Sequence, residues 1–328
     1  MRFLAPIAGI FGLALLTGLV GYFGFASVAQ AVLSSQWATA LVVLARAVAL
    51  AGCGIGWWCL LTPKGPSPHV FIALRFIREA INGLFPFAVV GGDIIGARLL
   101  SHFGVAMSLA VASVLVDIFV QVVSLLIYVG VGIAIVLDVP GPHRLSTVTF
   151  VMMAVALPAV GGFFLALNFG AFDPVVRWLV DFGEKRRWSV FAHVVDLGDR
   201  LQMIWRNHLG LSAALFVHVV TVFFGAVEVW IAFYFMGHPV GVAAAIAIES
   251  IGQGGKAAAF MLPGGIGVQD GTLIAAAAIF GVPVEVALAM ALIKRVPDLV
   301  LGIPSLLLWQ GLEGRRLFAR RRSVGGSP

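Results

Sequence analysis

The residues best suited to chemistry are a few charges set among long apolar runs. They are Asp93 and Arg98 in GGDIIGAR, Glu249, Gln253, Lys256 and Asp270 in the stretch 249–271, and Arg295 and Asp298 in KRVPD. A charge at the centre of a bilayer costs at least about 2.5–3.5 kcal/mol, so each needs a partner, water or a function. Both Asp93 and Asp270 follow a Pro/Gly-rich break: Pro86 with Gly91 and Gly92 before the first, Pro263, Gly264, Gly265 and Gly267 before the second. A carboxylate placed there can cap the free N–H groups of a new half-helix, serve a substrate or ion site, or do both. The glycines free backbone N–H groups for an anion such as a lipid phosphate, although glycine also serves close helix packing in membranes. Glu249, Gln253 and Lys256 recur at i, i+4 and i+7, one face of the half-helix that leads to Pro263. Asp93 and Arg98 are five apart and need not face each other. Lys294 and Asp298 are four apart and can pair, which leaves Arg295 to meet Asp270 or an anionic headgroup. Glu228 and Arg46, inside apolar runs, are expected to pair with other buried polar groups rather than to bind substrate.

The two breaks are copies of one pattern, 177 residues apart: Pro, six residues, Asp, nine residues, Phe-Gly-Val. The first copy is Pro86, Asp93 and Phe103-Gly104-Val105; the second is Pro263, Asp270 and Phe280-Gly281-Val282. Apolar matches come easily in a chain that is 61% hydrophobic, so the Pro, Asp and Gly matches carry the repeat. A repeated membrane segment whose helix is broken beside an ionisable residue points to a transport site.

The elements that hold these residues follow from composition. Mean hydropathy is +1.05 and only 11% of residues are charged, against about 25% in a soluble domain. Hydrocarbon cannot satisfy backbone polar groups, and the apolar runs far exceed the roughly 10 residues of a barrel strand. The fold class is therefore an all-α polytopic membrane protein. The net charge of +6 and pI near 9.9 are what cytoplasmic loops alone supply, so nucleic acid is not expected as a partner. Cys53 and Cys59 have no His or Cys cluster nearby and read as small apolar groups. No nucleophile–base spacing, GxxxxGK[ST] or HExxH motif occurs, so no catalytic residue, metal or cofactor is expected.

Runs of about 20 apolar residues predict spans at 3–25, 37–61, 113–137, 147–168, 208–236 and 296–313. The run 3–25 exceeds a signal-peptide core and reads as a retained first helix. The interrupted stretches 70–102 and 243–282 read as re-entrant pairs of half-helices, or equally as pairs of short spans, about eight membrane helices in all. Basic residues concentrate in 62–79 (Lys64, Arg75, Arg78), in 169–207 and in the tail, which makes both termini cytoplasmic. Three spans then separate the broken segments, so the halves are expected to be inverted repeats. The first half is 1–138; the second is 139–314, with a cytoplasmic insertion at 169–207; a basic tail follows at 315–328. The insertion, with Trp178, Trp188 and Trp205, suits an amphipathic segment on the membrane surface or a packed loop domain.

The stretches ESIGQGGKAAAFMLPGGIGVQDG (249–271), FGVPVEVALAMALIKRVPDLVLGIPSLLLWQ (280–310) and NGLFPFAVVGGDIIGARLL (82–100) carry a family resemblance. They resemble the membrane region of the lysylphosphatidylglycerol synthase/flippase-like family, and within it the hopanoid-biosynthesis-associated HpnL-type proteins. Asp93 and Asp270 stand where that family often has Glu, a departure that keeps the charge. The first half has no arginine matching Arg295, which argues against a symmetric two-arginine site. The resemblance implies a lipid-handling protein of the bacterial inner membrane. In the synthases this region is credited with flipping the aminoacylated lipid, and a catalytic domain follows the last span. Here only an arginine-rich stretch follows Gly314, so the synthase activity is not carried over. The expected function is a flippase-like transporter of an amphipathic lipid, hopanoid-related or an anionic phospholipid. Asp93, Arg98, Glu249, Lys256, Asp270 and Arg295 would line or gate its cavity. The rivals are a scaffold that recruits lipid-biosynthesis enzymes through 169–207 and the tail, and an integral-membrane lipid transferase with Asp93 or Asp270 as general base.

Overall fold

The computed structural model describes residues 37–63, 65–84, 91–139, 196–258 and 268–324, and every regular element among them is a helix. They are α1 (Trp37–Leu61), α2 (Pro68–Leu84), α3 (Gly91–Ser101), α4 (Met107–Leu137), α5 (Leu197–Trp205), α6 (His208–Val222), α7 (Phe224–Phe235), α8 (Val242–Ala258), α9 (Val268–Ile279), α10 (Val284–Ile293) and α11 (Val296–Val324). Among the described residues three stretches are long and apolar enough to cross a bilayer: α1, α4 and the nearly continuous α6–α7. The expected spans 37–61 and 208–236 coincide with α1 and α6–α7, which only Phe223 separates. The span expected at 113–137 begins earlier, at Met107, and its 31 residues are about 46 Å long. That exceeds the roughly 30 Å of hydrocarbon, so α4 must tilt or project. The spans expected at 3–25 and 147–168 lie outside the described residues, as does the insertion before Asp196.

The sequence repeat reappears in the backbone. Helices begin at Gly91 and at Val268, and again at Met107 and at Val284, each pair 177 residues apart. Between them Gly104 and Gly281 turn the chain with φ of 88° and 74°, a region that only glycine enters without strain. After α9 the Val282 N–H returns to the Ala277 carbonyl at 3.2 Å, the closure of a Schellman-type cap. The Phe-Gly-Val copies are thus the sharp exits from α3 and α9.

Packing places two apolar cores side by side. One joins α1 to α5, with Ala214 of α6 and Leu306 of α11 at its edge. The other joins α7 to α10, with Val136 of α4. They are knitted by reciprocal contacts, α8 against α4 and α11 against α2, while α1 packs on α6 and α7. Small residues set the spacing, since lipid tails offer no hydrophobic drive for helix association. A Cβ on Gly54 of α1 would stand 2.6 Å from the Ile72 Cα of α2, so only glycine permits that approach. The end of the insertion is a core element: Leu197, Leu201 and Ile204 of α5 are buried, and Trp205 meets the Phe119 ring edge-on at 5.7 Å.

One premise of the orientation fails. Arg75 and Arg78 are not loop charges of a segment 62–79; both are buried on α2, which begins at Pro68. Their loop character was inferred from charge density alone, and paired arginines can sit inside a helix.

Candidate functional site

Arg75, Arg78 and Asn82 recur at i, i+3 and i+7 and so share one face of α2. Arg78 is the hub. Its Nε and Nη2 donate to Asp93 Oδ1 at 2.9 and 2.6 Å, and its Nη1 donates to Asp117 Oδ2 at 2.7 Å. The guanidinium lies 4.6 Å from the centre of the Trp57 ring, whose Nε1–H is held by Ser113 Oγ at 3.1 Å. Gly96 makes room for it, since a Cβ there would stand 2.6 Å from Arg78 Cδ. Asn82 completes the junction of α2 and α3. It donates to Asp93 Oδ2 at 3.1 Å and accepts the Gly92 N–H at 2.8 Å. Asp117, fully buried on α4, also accepts from Gln121 Nε2 at 2.7 Å and lies 3.0 Å from His218 Nε2. Arg75 stands 3.8 Å from Asp117 and donates to Glu79 at 3.2 Å.

A second cluster joins α1, α7, α8 and the α10–α11 junction. Lys294 Nζ donates to Glu249 Oε2 at 2.7 Å and lies 3.1 Å from Glu228 Oε2. Glu228 also accepts from Arg46 Nη2 at 3.0 Å, and Glu249 accepts from Gln253 Nε2 at 2.8 Å. Gly225 lets Glu249 approach α7; a Cβ there would stand 2.7 Å from Glu249 Oε1. Beside this cluster, Arg295 Nη2 donates to both oxygens of Asp270, at 2.9 and 3.0 Å. All these pairs take charge out of lipid by giving each carboxylate a charge-assisted hydrogen bond.

Arg46 and Glu228, each expected to pair with some buried polar group, pair with each other, and Arg295 takes Asp270, one of the two partners open to it. The expected Lys294–Asp298 pair does not form, because the helix stops at Lys294 and α11 starts only at Val296, which breaks the i,i+4 register. Asp298 instead lines a cleft between α1, α2 and α11, together with Arg46 and Glu79. Arg98 does not join Asp93; its side chain is 57% exposed and meets Glu313 at 3.1 Å. Lys256 is exposed near the end of α8, while Gln253 is bound to Glu249. Asp93 and Asp270 are each the third residue of a helix, and their oxygens receive side-chain N–H groups. Gly91 and Gly92 open α3, whereas Pro86, Pro263, Gly264, Gly265 and Gly267 lie outside the described residues. Among the described residues no group of His, Cys, Asp and Glu could hold a metal ion.

The sequence passed over Arg78 and His218. The signal for Arg78 was the polar face of α2; nothing local marked His218, whose partner is 101 positions away. The two halves also place opposite signs at one register. Asp117 and Lys294 are 177 apart, and each holds a residue of the helix before its own break: Arg78 in one case, Glu249 in the other.

No curated protein and no solved structure matches this chain. A family model described as the lysylphosphatidylglycerol synthase TM region matches residues 9–304. That match takes in both broken segments and both ion-pair clusters, and with the apolar helices it marks an integral membrane protein tied to lipid metabolism. The chain belongs to the lysylphosphatidylglycerol synthase transmembrane-region family.

Proposed function

We propose that this protein is a flippase-like transporter, not an enzyme, that moves an amphipathic lipid between the leaflets of the bacterial inner membrane. The lipid would be hopanoid-related or an anionic phospholipid. One observation carries the reading: the carboxylates after the two breaks stand at equivalent places of a repeated backbone, and each is held by an arginine, Arg78 from the helix before the break and Arg295 from beyond it. The three spans expected between the broken segments invert one half relative to the other, with both termini cytoplasmic. Inverted halves can exchange two equivalent packings, which opens the region between them to one side and then the other.

The chemistry of the pairs suits an anionic headgroup. A phosphate can replace Asp93 or Asp270 as the acceptor on its arginine, so the headgroup enters lipid depth without leaving a guanidinium unpaired. The two sites differ in access: Arg295 and Asp270 are 19% and 27% exposed, Arg78 and Asp93 only 1% and 14%. Such an asymmetry is what one side of an alternating cycle requires. Lipid tails stay in the bilayer throughout, so only the headgroup needs a polar route.

The test is leaflet-to-leaflet movement of labelled lipids in liposomes holding the purified protein, beside the Asp93→Asn/Asp270→Asn double variant. Movement should be lost in the double variant while membrane insertion persists. Wild-type rates in both single Asn variants would sink the assignment. If folded protein moves no lipid tested, the scaffold reading through 169–207 takes its place.

A further inference from the structure

His218 is a buried titratable side chain of the first cluster. It sits on α6 with 2% exposure, its Nε2 is 3.0 Å from Asp117 Oδ1, and Asp117 itself is fully buried. The ring packs against α1, where a Cβ on Gly56 would stand 2.8 Å from it. The titratable and charged groups around it come from three helices: Cys53 of α1, Arg75 and Arg78 of α2, and Asp117 of α4. Around Arg78 and Arg75 the ion pairs gather three carboxylates, Glu79, Asp93 and Asp117, against two guanidiniums. Counted over these ion pairs alone, with Arg46 also lining the cleft beside Glu79, a neutral imidazole leaves one excess negative charge and an imidazolium removes it. An unbalanced charge at this depth is costly, so the proton on His218 is tied to the arrangement of the carboxylates.

We propose that His218 and Asp117 form a proton-binding site that couples proton movement to the first broken segment, a role that rests on the transport reading above. The linkage runs through Arg78, which divides its N–H groups between Asp117 and Asp93. In the neutral state the ring donates Nε2–H to Asp117, and a solvated proton taken up from the aqueous phase adds to Nδ1. No bond between heavy atoms changes. The imidazolium then neutralises Asp117 and releases Arg78 towards Asp93 or a headgroup phosphate. Loss of the proton draws Arg78 back onto Asp117 and leaves Asp93 to Asn82. Proton occupancy on α6 and anion occupancy after the first break are thus reciprocal, as binding linkage demands.

Two measurements test this on the full-length protein. In the first, nitrogen-15 histidine NMR follows the His218 signal, assigned by its loss in His218→Gln, from about pH 5 to 9. The signal should titrate, and Asp93→Asn should lower the protonated fraction at fixed pH, by about tenfold in proton affinity. A His218 signal that is constant over this range, or that ignores Asp93→Asn, overturns the site. In the second, lipid movement in liposomes is measured with and without an imposed pH gradient. The wild type should respond to the gradient, whereas His218→Gln and the permanently charged His218→Arg should not. A wild type that moves lipid equally under both conditions overturns the coupling and leaves the transport reading intact. A wild type that moves none overturns the transport reading and the coupling with it, and the NMR result still decides whether the proton site exists.

Discussion

Replacing Arg78 by Gln tests the pairing scheme most directly. The guanidinium is 1% exposed and donates three N–H groups to two carboxylates, so its loss leaves Asp93 and Asp117 facing each other without a formal positive charge between them. Breaking a buried ion pair by removing one partner costs about 3–5 kcal/mol. That is a shift of roughly two to four powers of ten in the folding equilibrium. The contact with Trp57 is part of this cost, because a desolvated cation over an indole is worth up to about 2 kcal/mol. Arg78→Lys should fall between the two, since an ammonium keeps the charge but cannot present a planar fork to both acids. Unfolding in mixed micelles, followed by tryptophan fluorescence, gives the numbers. Adding Asp93→Asn to Arg78→Gln should restore part of the loss, with a coupling of about 1–3 kcal/mol in the double-mutant cycle. An Arg78→Gln protein within about 1 kcal/mol of wild type, or a coupling near zero, would refute the buried hub.

Two contrasts test the rest of the packing by the same assay. Lys294→Met takes the cation from Glu249, leaves Glu228 only Arg46 and should cost about 3–5 kcal/mol, whereas Lys256→Met, at an exposed position, should stay within about 0.5 kcal/mol. Equal effects would mean that Lys294 is not the shared partner. Gly54→Ala pushes a methyl onto the α2 backbone and should destabilise by about 1–3 kcal/mol, while Gly83→Ala, with no atom within 4 Å of its Cβ, should be neutral or stabilising. A tolerated Gly54→Ala would show that α1 and α2 do not approach as closely as described.

Helix positions were largely legible because hydrocarbon makes long apolar runs helical and Pro and Gly punctuate them. The 177-residue spacing picked out Gly104 and Gly281, two of the positive-φ glycines, since only glycine serves there at low cost. The acids were legible for a related reason: Asp93 and Asp270 are tied to helix starts, which are local features. Their bases were not. Arg295 was found because the Lys294–Asp298 spacing left it over, 25 residues from Asp270, while Arg78, only 15 from Asp93, was counted as a loop charge and His218 went unseen. Partners across helices are fixed by packing, and no periodicity within one helix reports them. Lys294 shows the same limit from the other side, since i,i+4 spacing named Asp298 and tertiary contact chose Glu249 and Glu228.

The opposite signs of Asp117 and Lys294 have a physical consequence for the two halves. Asp117 on α4 and Lys294 at the end of α10 each reach back to the helix before their break, α2 through Arg78 and α8 through Glu249, so two ion pairs of opposite polarity make these links. Reversing one sign alone would leave two like charges buried within hydrogen-bonding distance, at a cost of several kcal/mol. Such a swap therefore requires both partners to change together, and the repeat survives in Pro, Gly and Asp while its charges diverge. The divergence also separates the tasks of the halves. In the first half Arg78 holds the acid of the break and also the Asp117–His218 pair, so anything that moves a proton there is felt at Asp93. In the second half Lys294 and Arg295 divide these duties, and Asp270 can change partners without disturbing Glu249. On the proposed transport reading the first break is the coupled one and the second the one whose acid exchanges partners independently. That is the arrangement expected where one half senses a driving ion and the other stays open to the headgroup.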